Sequence, residues 1–461
     1  MLFQTIINVF RIPELRNKIL FTLGMLAVYR IGFWIPVPGV DQGALTSFFE
    51  QQAAAGSAAG RLSQYVAIFS GGSFGQSTIF GLGIMPYITA SIIFQLFQSV
   101  SPQLKKLKDE GPTGYAKIQE WTRYATVGLC LVQAVGWLTY ITRSGLVYEA
   151  WAHNPLWWIM GIAALTAGTI FLMWLGEQID RFGIGNGVSL IIMAGILTGM
   201  PGAVMSVIGN FDAADPNKMG WMGLILLLFG FVLIVAGSVL LTVAQRRIPV
   251  QQAKHTRGNR TFGGQKSYLP LKVNHGGVMP IIFASSLMVF PSVVFSALMD
   301  QAQNAHATGT WVTIVAWLSQ SFQMGAFPYV FLYIIMVYFF SYFWITVQFN
   351  PEEMSKQLRD HGSFIPGLRP GPRTAEYLEA VMERITYVGA AFLAIIAVLP
   401  MVVNSQLKVD FVVSQFLGGT GLLIVVSVAL DFLQRVEANL LMRNYDGFLG
   451  DSDTGEGRSR S

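Results

Sequence analysis

The hydrophobic positions of this chain gather in long continuous runs that short polar connections separate. Ten runs hold about 20 residues each, enough for a helix rising 1.5 Å per residue to cross a hydrocarbon core of roughly 30 Å. Only helices suit such runs, because lipid leaves no water for backbone groups and the two-residue alternation of a membrane β-barrel is missing. The predicted spans are 19–38, 79–99, 121–141, 156–176, 188–209, 220–244, 277–298, 323–348, 385–404 and 411–433.

Positive charge lies almost entirely on alternate connections. The even-numbered connections and the two tails hold 25 Lys and Arg, the odd-numbered connections hold 4, and Arg30 falls inside the first span. Cytoplasmic connections collect Lys and Arg, so both termini are predicted to lie in the cytoplasm. Only 12% of the residues are charged and 53% are hydrophobic, about half the charge of a soluble protein. Together these patterns predict an all-α integral membrane protein.

Two segments outside the spans allow more than one interpretation. Residues 1–18 fit either a short amphipathic helix on the cytoplasmic surface or the ordinary positive flank of a first span. Residues 39–78 are too polar to span and too apolar for a solvated loop. They fit either a short half-helix folded back inside the protein, or a flexible external loop.

The remaining organisation follows from counting spans. Five spans occupy an N-terminal half, 19–209, and five a C-terminal half, 220–433. An odd number per half makes the second half enter from the opposite side, as in transport proteins with inverted repeats. Within the C-terminal half, the cytoplasmic connections 245–275 and 350–384 are strongly basic. Residues 434–461 form a cytoplasmic tail, which is polar from Gly450 to Ser461.

The spans lack the groups that intramembrane catalysis and ion coupling use. No Asp, Glu or Lys lies deep in a span, and Glu177 and Asp180 are assigned to the connection after the fourth span. Charge inside a bilayer is costly and usually functional. The sequence also lacks a phosphate-binding Gly-rich Lys loop, a zinc HExxH motif and any Cys/His cluster, and Cys130 is a lone apolar filler. A passive conduit without metal or cofactor is predicted, with a small-solute secondary transporter as the alternative and a membrane-embedded enzyme third.

Four stretches go beyond a generic membrane protein, and they occur in order with matching spacing from about Leu15 to about Leu441. Together with ten spans and the predicted orientation, they resemble the SecY family, whose members are protein-conducting channels of the bacterial translocase. The stretches are FGLGIMPYITASIIFQ (Phe80–Gln95), WLGEQIDRFGIGNGVS (Trp174–Ser189), LPLKVNHGGVMPIIFASS (Leu269–Ser286) and FIPGLRPG (Phe364–Gly371).

The resemblance implies two five-helix halves around an hourglass pore, narrowed by a ring of apolar side chains and closed outside by a plug at about 63–78. The ring residues are Ile84, Ile88, Val188, Ile192, Ile282 and Ile424. The plug residues are Phe69, Ser70, Gly71, Gly72, Ser73, Phe74 and Gly75. Two ring pairs are four residues apart and so share a helical face. Taken singly, each ring residue could equally face lipid or another helix, and the plug glycines could be simple turn residues.

The resemblance also implies a sideways opening and a docking surface. Gln95, Asn186 and Asn274 are candidates for polar contacts at the lateral gate, although Asn186 could merely cap the fifth helix. Arg369, with Arg257 and Arg260, is the candidate docking site for ribosomal RNA and for the SecA ATPase, although all three could be ordinary inside-positive charges.

The same resemblance names the expected partners and location. The small subunits SecE and SecG, signal sequences and nascent polypeptides are expected partners, in the bacterial plasma (inner) membrane. The implied function is passage of unfolded secretory chains across the bilayer and lateral release of membrane-protein helices into it.

Overall fold

The computed structural model describes residues 12–54, 77–152, 154–209, 211–212, 220–252, 255–257, 260–262, 266–304, 309–323, 326–407 and 420–450. The chain divides into two compact units. Unit 1 comprises Met1–Pro201 and Val428–Ser461, and unit 2 comprises Gly202–Ser427. The predicted plug residues 69–75 and the last part of the C-terminal tail, residues 451–461, lie outside the described residues.

Unit 1 is helical, and four of its helices begin at proline. Proline at the first helical position sacrifices no hydrogen bond and presets the backbone angle φ. The helices are α1 (Pro13–Gly32), α2 (Gln42–Ala54), α3 (Met85–Val100), α4 (Pro102–Asp109), α5 (Pro112–Arg143), α6 (Glu149–Ala152), α7 (Pro155–Phe182) and α8 (Gly187–Gly209), which continues into unit 2 after Pro201. Helix α5 packs against α3 and α7, and α7 also packs against α1.

Unit 2 combines long helices with short strands. Its elements are α9 (Trp221–Val243), β1 (Gln245–Gln252), β2 (His255–Arg257), β3 (Arg260–Phe262), β4 (Lys266–Lys272), α10 (Met279–Asn304), α11 (Thr310–Ser321), α12 (Phe327–Gln348), α13 (Pro351–Asp360), β5 (Ser363–Phe364), α14 (Pro372–Leu407) and α15 (Thr420–Gly450), which belongs to unit 1 from Val428 onward. Helix α12 packs against α10 and α14, and α14 also packs against α9 and α13.

Each of the ten predicted spans overlaps one of these helices. Among the described residues, six helices are long and apolar enough to cross a membrane, those that begin at Pro112, Pro155, Gly187, Trp221, Phe327 and Pro372. Helix α3 has only 16 residues, because residues 79–84 of its predicted span form turns. Helix α1 begins at Pro13, so it takes in the last residues of the predicted surface segment 1–18.

Arg30 does not lie deep in a span. Helix α1 ends at Gly32 rather than at residue 38, so Arg30 sits in its last turn, where a positive charge interacts favourably with the helix dipole. Its side chain is exposed, and the guanidinium carbon lies 5.9 Å from the ring centroid of Phe33. The one charge that the sequence placed inside the bilayer is therefore at a helix end.

In the part that the structure describes, the connection after α1 contains a helix that neither sequence interpretation expected. Residues 42–54 form α2, whose start is capped by Asp41 Oδ1, which accepts from the N–H groups of Gly43 and Ala44 at 3.0 and 3.1 Å. Trp157 on α7 donates its indole N–H to the carbonyl of Pro38 at 2.7 Å. This segment is thus packed on α5 and α7 around a buried apolar cluster.

The basic connections contain strands that the all-α prediction did not include. Strand β1 pairs antiparallel with β4 over seven positions, and its end pairs with β5. Strands β2 and β3 form a separate two-stranded sheet. Ile248 and Val250 of β1 point into the core, whereas Pro249 between them is exposed. The sequence signal of these strands is an alternation of buried and exposed positions over a few residues. It is much weaker than the signal of an apolar run of 20 residues, so the strands were not predicted.

Candidate functional site

The ring candidates of unit 1 are enclosed by protein rather than turned outward. Ile84, Ile88 and Ile192 are 2%, 8% and 7% exposed. Ile84 immediately precedes α3, and its carbonyl accepts the N–H of Ile88 at 3.1 Å, so the two are stacked one turn apart. Val188 is half-buried, and one of its methyl carbons lies close to Gly176 of α7.

A turn segment of residues 77–84 positions Ile84 ahead of α3. The N–H of Val37 donates to the carbonyl of Ser77 at 2.9 Å, and the indole N–H of Trp137 donates to the hydroxyl of Ser77 at 3.2 Å. Non-helical backbone at membrane depth is stable only where protein buries it, and this segment is almost wholly buried. The predicted plug therefore connects to α3 through a fixed element.

Two glycines allow the turn segment to enter between helices. A Cβ at Gly168 on α7 would collide with the carbonyl of Ile79, and a Cβ at Gly32 on α1 would collide with the ring of Phe80. The Phe80 ring is 3% exposed. It lies against the rings of Tyr29, Phe33 and Phe171. The start of the FGLGIMPY motif is thus packed tightly between α1 and α7.

Gly168→Ala is expected to destabilise unit 1, because its new methyl group meets backbone, which cannot rotate away. Overpacking of this kind typically costs about 1–3 kcal/mol. Gly128→Ala on α5 is the matched control, since no atom lies within 4 Å of its Cβ position and alanine favours a helix by up to about 1 kcal/mol. Thermal denaturation in lipid nanodiscs compares the two. Equal unfolding midpoints for the two variants would contradict the close packing of Ile79 against Gly168.

Residues of the WLGEQIDRFGIGNGVS motif hold the end of α7 against the start of α8. A Cβ at Gly187 would collide with the carbonyl of Gly176, so the two backbones touch. Asp180 Oδ1 accepts the N–H of Gly187 at 2.7 Å, and Asn186 Oδ1 accepts the N–H of Ser189 at 3.0 Å. These contacts fix the helix that carries Val188 and Ile192.

The same turn is tied to α1. The hydroxyl of Thr22 accepts the N–H of Ile184 at 3.2 Å and donates to the carbonyl of Lys18 at 2.9 Å. Ile184 is buried with Leu15 of α1 and Val436 of α15. Sequence reasoning missed Thr22, because a single threonine in an apolar run carries no distinguishing signal.

Glu177 and Asp180 lie on α7, which runs to Phe182, and not in a connection as the sequence suggested. Glu177 Oε1 accepts from Arg123 Nε on α5 at 2.8 Å. Both side chains are partly exposed, and such pairs contribute about 0.2–1 kcal/mol. Both carboxylates thus have structural partners.

The ring candidates of unit 2 are also buried. Ile282 in the first turn of α10 is 4% exposed, and Ile424 in the first turns of α15 is 2% exposed. The N–H of Ile282 donates to the carbonyl of Val278 at 3.1 Å. Five of the six ring candidates are thus buried aliphatic side chains and the sixth, Val188, is half-buried.

The three gate candidates make local hydrogen bonds. Gln95 Nε2 donates to Ser91 Oγ one turn earlier at 3.3 Å. Asn274 Nδ2 donates to the carbonyl of Gly277 at 2.9 Å. The side chain of Asn186 accepts a helix N–H, as its alternative interpretation proposed. Each of these amides therefore stabilises its own turn.

The two basic connections form one body, which we call the basic platform: β1, β4, β5, α13 and the first turns of α14. Its buried core joins both connections through residues such as Ile248, Leu271, Ile365 and Leu378. Arg246, Arg247, Lys266, Lys272, Lys356, Arg359, Arg369 and Arg373 are exposed on these elements and their loop. Folding therefore brings onto one body charges from two connections, 84 to 127 positions apart in sequence.

A rigid turn presents Arg369 on the basic platform. The N–H of Leu368 donates to the carbonyl of Ile365 at 3.1 Å, and Gly367 has φ of +86°. Proline followed by a positive-φ glycine is the pattern of a type II turn. The carbonyl of Arg369 accepts the hydroxyl of Thr374 at 2.9 Å, while its side chain stays exposed.

Arg257 and Arg260 face each other across the end of the β2–β3 hairpin. They are paired positions in its antiparallel register. Residues 258–259 between them, and the side chains of both arginines, lie outside what the structure describes. The backbone therefore places two arginines together at a hairpin tip.

Comparisons with known proteins agree on one family. The profile of the SecY family matches residues 78–433. A protein translocase subunit SecY of Chlamydia trachomatis is 40% identical over 459 residues, which cover 96% of this chain and 98% of that protein.

Solved structures support the same fold. One described as the structure of a protein conducting channel has a TM-score of 0.56 at 19% identity, covering 92% of each chain. Sec61 in the canine ribosome-channel complex from the endoplasmic reticulum has a TM-score of 0.53 at 18% identity, with 92% of each chain covered.

Proposed function

This chain belongs to the SecY family, and from that premise we propose that it is the channel subunit of a protein translocase in the bacterial plasma membrane. It passes unfolded secretory polypeptides across the bilayer and releases membrane-protein helices sideways into it. The observation that carries the proposal is 40% identity to a translocase subunit over 96% of the chain. The family is one of channel subunits and not of enzymes, and nothing among the similar proteins favours a small-solute carrier.

The seal of the channel is a ring of six aliphatic side chains, Ile84, Ile88, Val188, Ile192, Ile282 and Ile424. Their enclosure by protein supports this role. A narrow apolar constriction sheds water and blocks ions, yet aliphatic side chains have no polar bonds to break when a chain pushes them apart. Residues 69–75 act as the plug on the outer side of the ring. The rigid 77–84 segment supports this assignment, because it gives a plug a fixed point of attachment.

The channel also opens sideways for signal sequences and membrane helices. Gln95, Asn186 and Asn274 border that gate, and their hydrogen bonds keep the turns around it in shape. Because the hydrogen bonds of these amides lie within their own turns, they do not hold the seam closed, and an apolar signal helix can enter.

The basic platform lies on the cytoplasmic face of the membrane, as do both termini, and docks the partners that deliver substrate. Arg369 at its rigid turn and the Arg257–Arg260 hairpin tip contact phosphate-rich ribosomal RNA during synthesis and the SecA ATPase after it. Counterion release makes clustered arginines effective against RNA. SecE and SecG complete the assembly in the bilayer.

Depletion of this chain from its host is expected to stop maturation of secreted proteins. Precursors would accumulate inside the cell with signal sequences attached, because no route across the membrane remains. Pulse labelling followed by precipitation of one secreted protein measures this directly. Re-expression of the chain is the control, and normal secretion after full depletion would contradict the proposal.

A further inference from the structure

A small cavity, lined by both polar and apolar groups, lies in unit 2 beside the start of α10. The linker from β4 to α10 forms one wall through Val273, His275 and Gly276, α12 contributes Ser341, and α14 contributes Thr386. The cavity has a volume of about 10 Å³, close to the roughly 10–15 Å³ that one water molecule requires on this measure.

The linker lies directly on α14 at this place. A Cβ at Gly389 would be 2.6 Å from the carbonyl oxygen of Val273, and a Cβ at Gly276 would be 2.9 Å from the indole of Trp344. Such close contacts show that the linker packs tightly on α14 and α12. With a volume of about 10 Å³, the cavity admits only a small occupant.

The polar atoms around the cavity have complementary needs. His275 Nδ1 is buried and has no hydrogen-bond partner among the described residues. Ser341 Oγ donates to the carbonyl of Val337, and Thr386 Oγ1 donates to the carbonyl of Met382, each at 2.7 Å. Each hydroxyl has one hydrogen, already used, so both can only accept from the cavity.

We infer that this cavity is a binding site for one ordered water molecule. In the tautomer that carries its proton on Nδ1, His275 donates to the water, which donates its two hydrogens to Ser341 Oγ and Thr386 Oγ1. Three hydrogen bonds are the usual number for a buried water, and they satisfy the otherwise unpaired imidazole nitrogen. The water thereby ties the β4–α10 linker to both α12 and α14.

A structure of the full-length chain at about 2 Å resolution, in lipid nanodiscs, tests the site without any substitution. A density peak is expected about 2.7–3.0 Å from His275 Nδ1 and from both hydroxyl oxygens. An empty cavity surrounded by well-resolved side chains would overturn the inference.

Variants test what the water does. Thr386→Val and His275→Phe each remove one partner, and hydrogen exchange at the amides of residues 274–277 is expected to rise about fivefold, the equivalent of one hydrogen bond. His275→Asn restores a donor near Nδ1 and should return exchange toward the parent rate. Thr346→Val is the control, because Thr346 on α12 also donates to its own helix but is exposed. Equal exchange in Thr386→Val and Thr346→Val would refute the bridge.

Discussion

Membranes that contain the Ile88→Ser/Ile192→Ser variant are expected to leak small ions at rest, with conductance at least about tenfold above the parent protein. Each hydroxyl makes a water-filled constriction more favourable by about 1–3 kcal/mol, and 1.4 kcal/mol changes a population tenfold. Single-channel recording in planar bilayers measures the leak. The effect is large because the proposed seal depends on the absence of polar atoms.

The matched control places the same two hydroxyls on the same helices but away from the ring. Ile93 on α3 is 36% exposed and Leu197 on α8 is 42% exposed. Ile93→Ser/Leu197→Ser would place the hydroxyls on outward faces of the two helices without wetting the constriction. Equal conductance in the two double variants would reject the ring.

Arg369→Glu is expected to reduce export of secreted precursors by roughly tenfold or more, while the protein still inserts and accumulates normally. Bringing like charges together at an interface costs several kcal/mol, and the type II turn with the Thr374 hydroxyl fixes the backbone at Arg369. Its exposed side chain contributes nothing to the buried core of the platform, so folding should be intact. Export into inverted membrane vesicles and quantification of the protein in membranes separate these effects.

Arg359→Glu makes the same change of charge on the same platform. Arg359 is exposed on α13 and already lies 3.4 Å from Asp360, so its reversal should weaken export only slightly. Arg369→Lys, which keeps the charge but loses the planar fork, should fall between the two. If Arg359→Glu blocked export as strongly as Arg369→Glu, total charge and not the turn would be responsible.

Sequence reasoning succeeded where a long local pattern carried the signal. Each predicted span overlaps a helix, because 20 apolar residues admit no other stable backbone in lipid. It misplaced the start of α3, because residues 79–84 are as apolar as the helix that follows. Only contacts with Gly32 and Gly168 show that they are turns. The platform strands were not predicted, because their pairing joins residues as far apart as 251 and 364. Local periodicity carries no information at that separation.

The sequence by itself determined the helical membrane architecture, the alternation of charge and, through four motifs, the family. Those properties depend on the composition of continuous segments. Only the tertiary structure explains the residues of the motifs. Their glycines Gly176 and Gly187 lie where two backbones touch, and Asp180 and Thr22 bind the turn before α8. The tertiary structure also shows that the two distant basic connections share one core. These features arise from contacts between residues far apart along the chain, and no local pattern encodes which partners will meet.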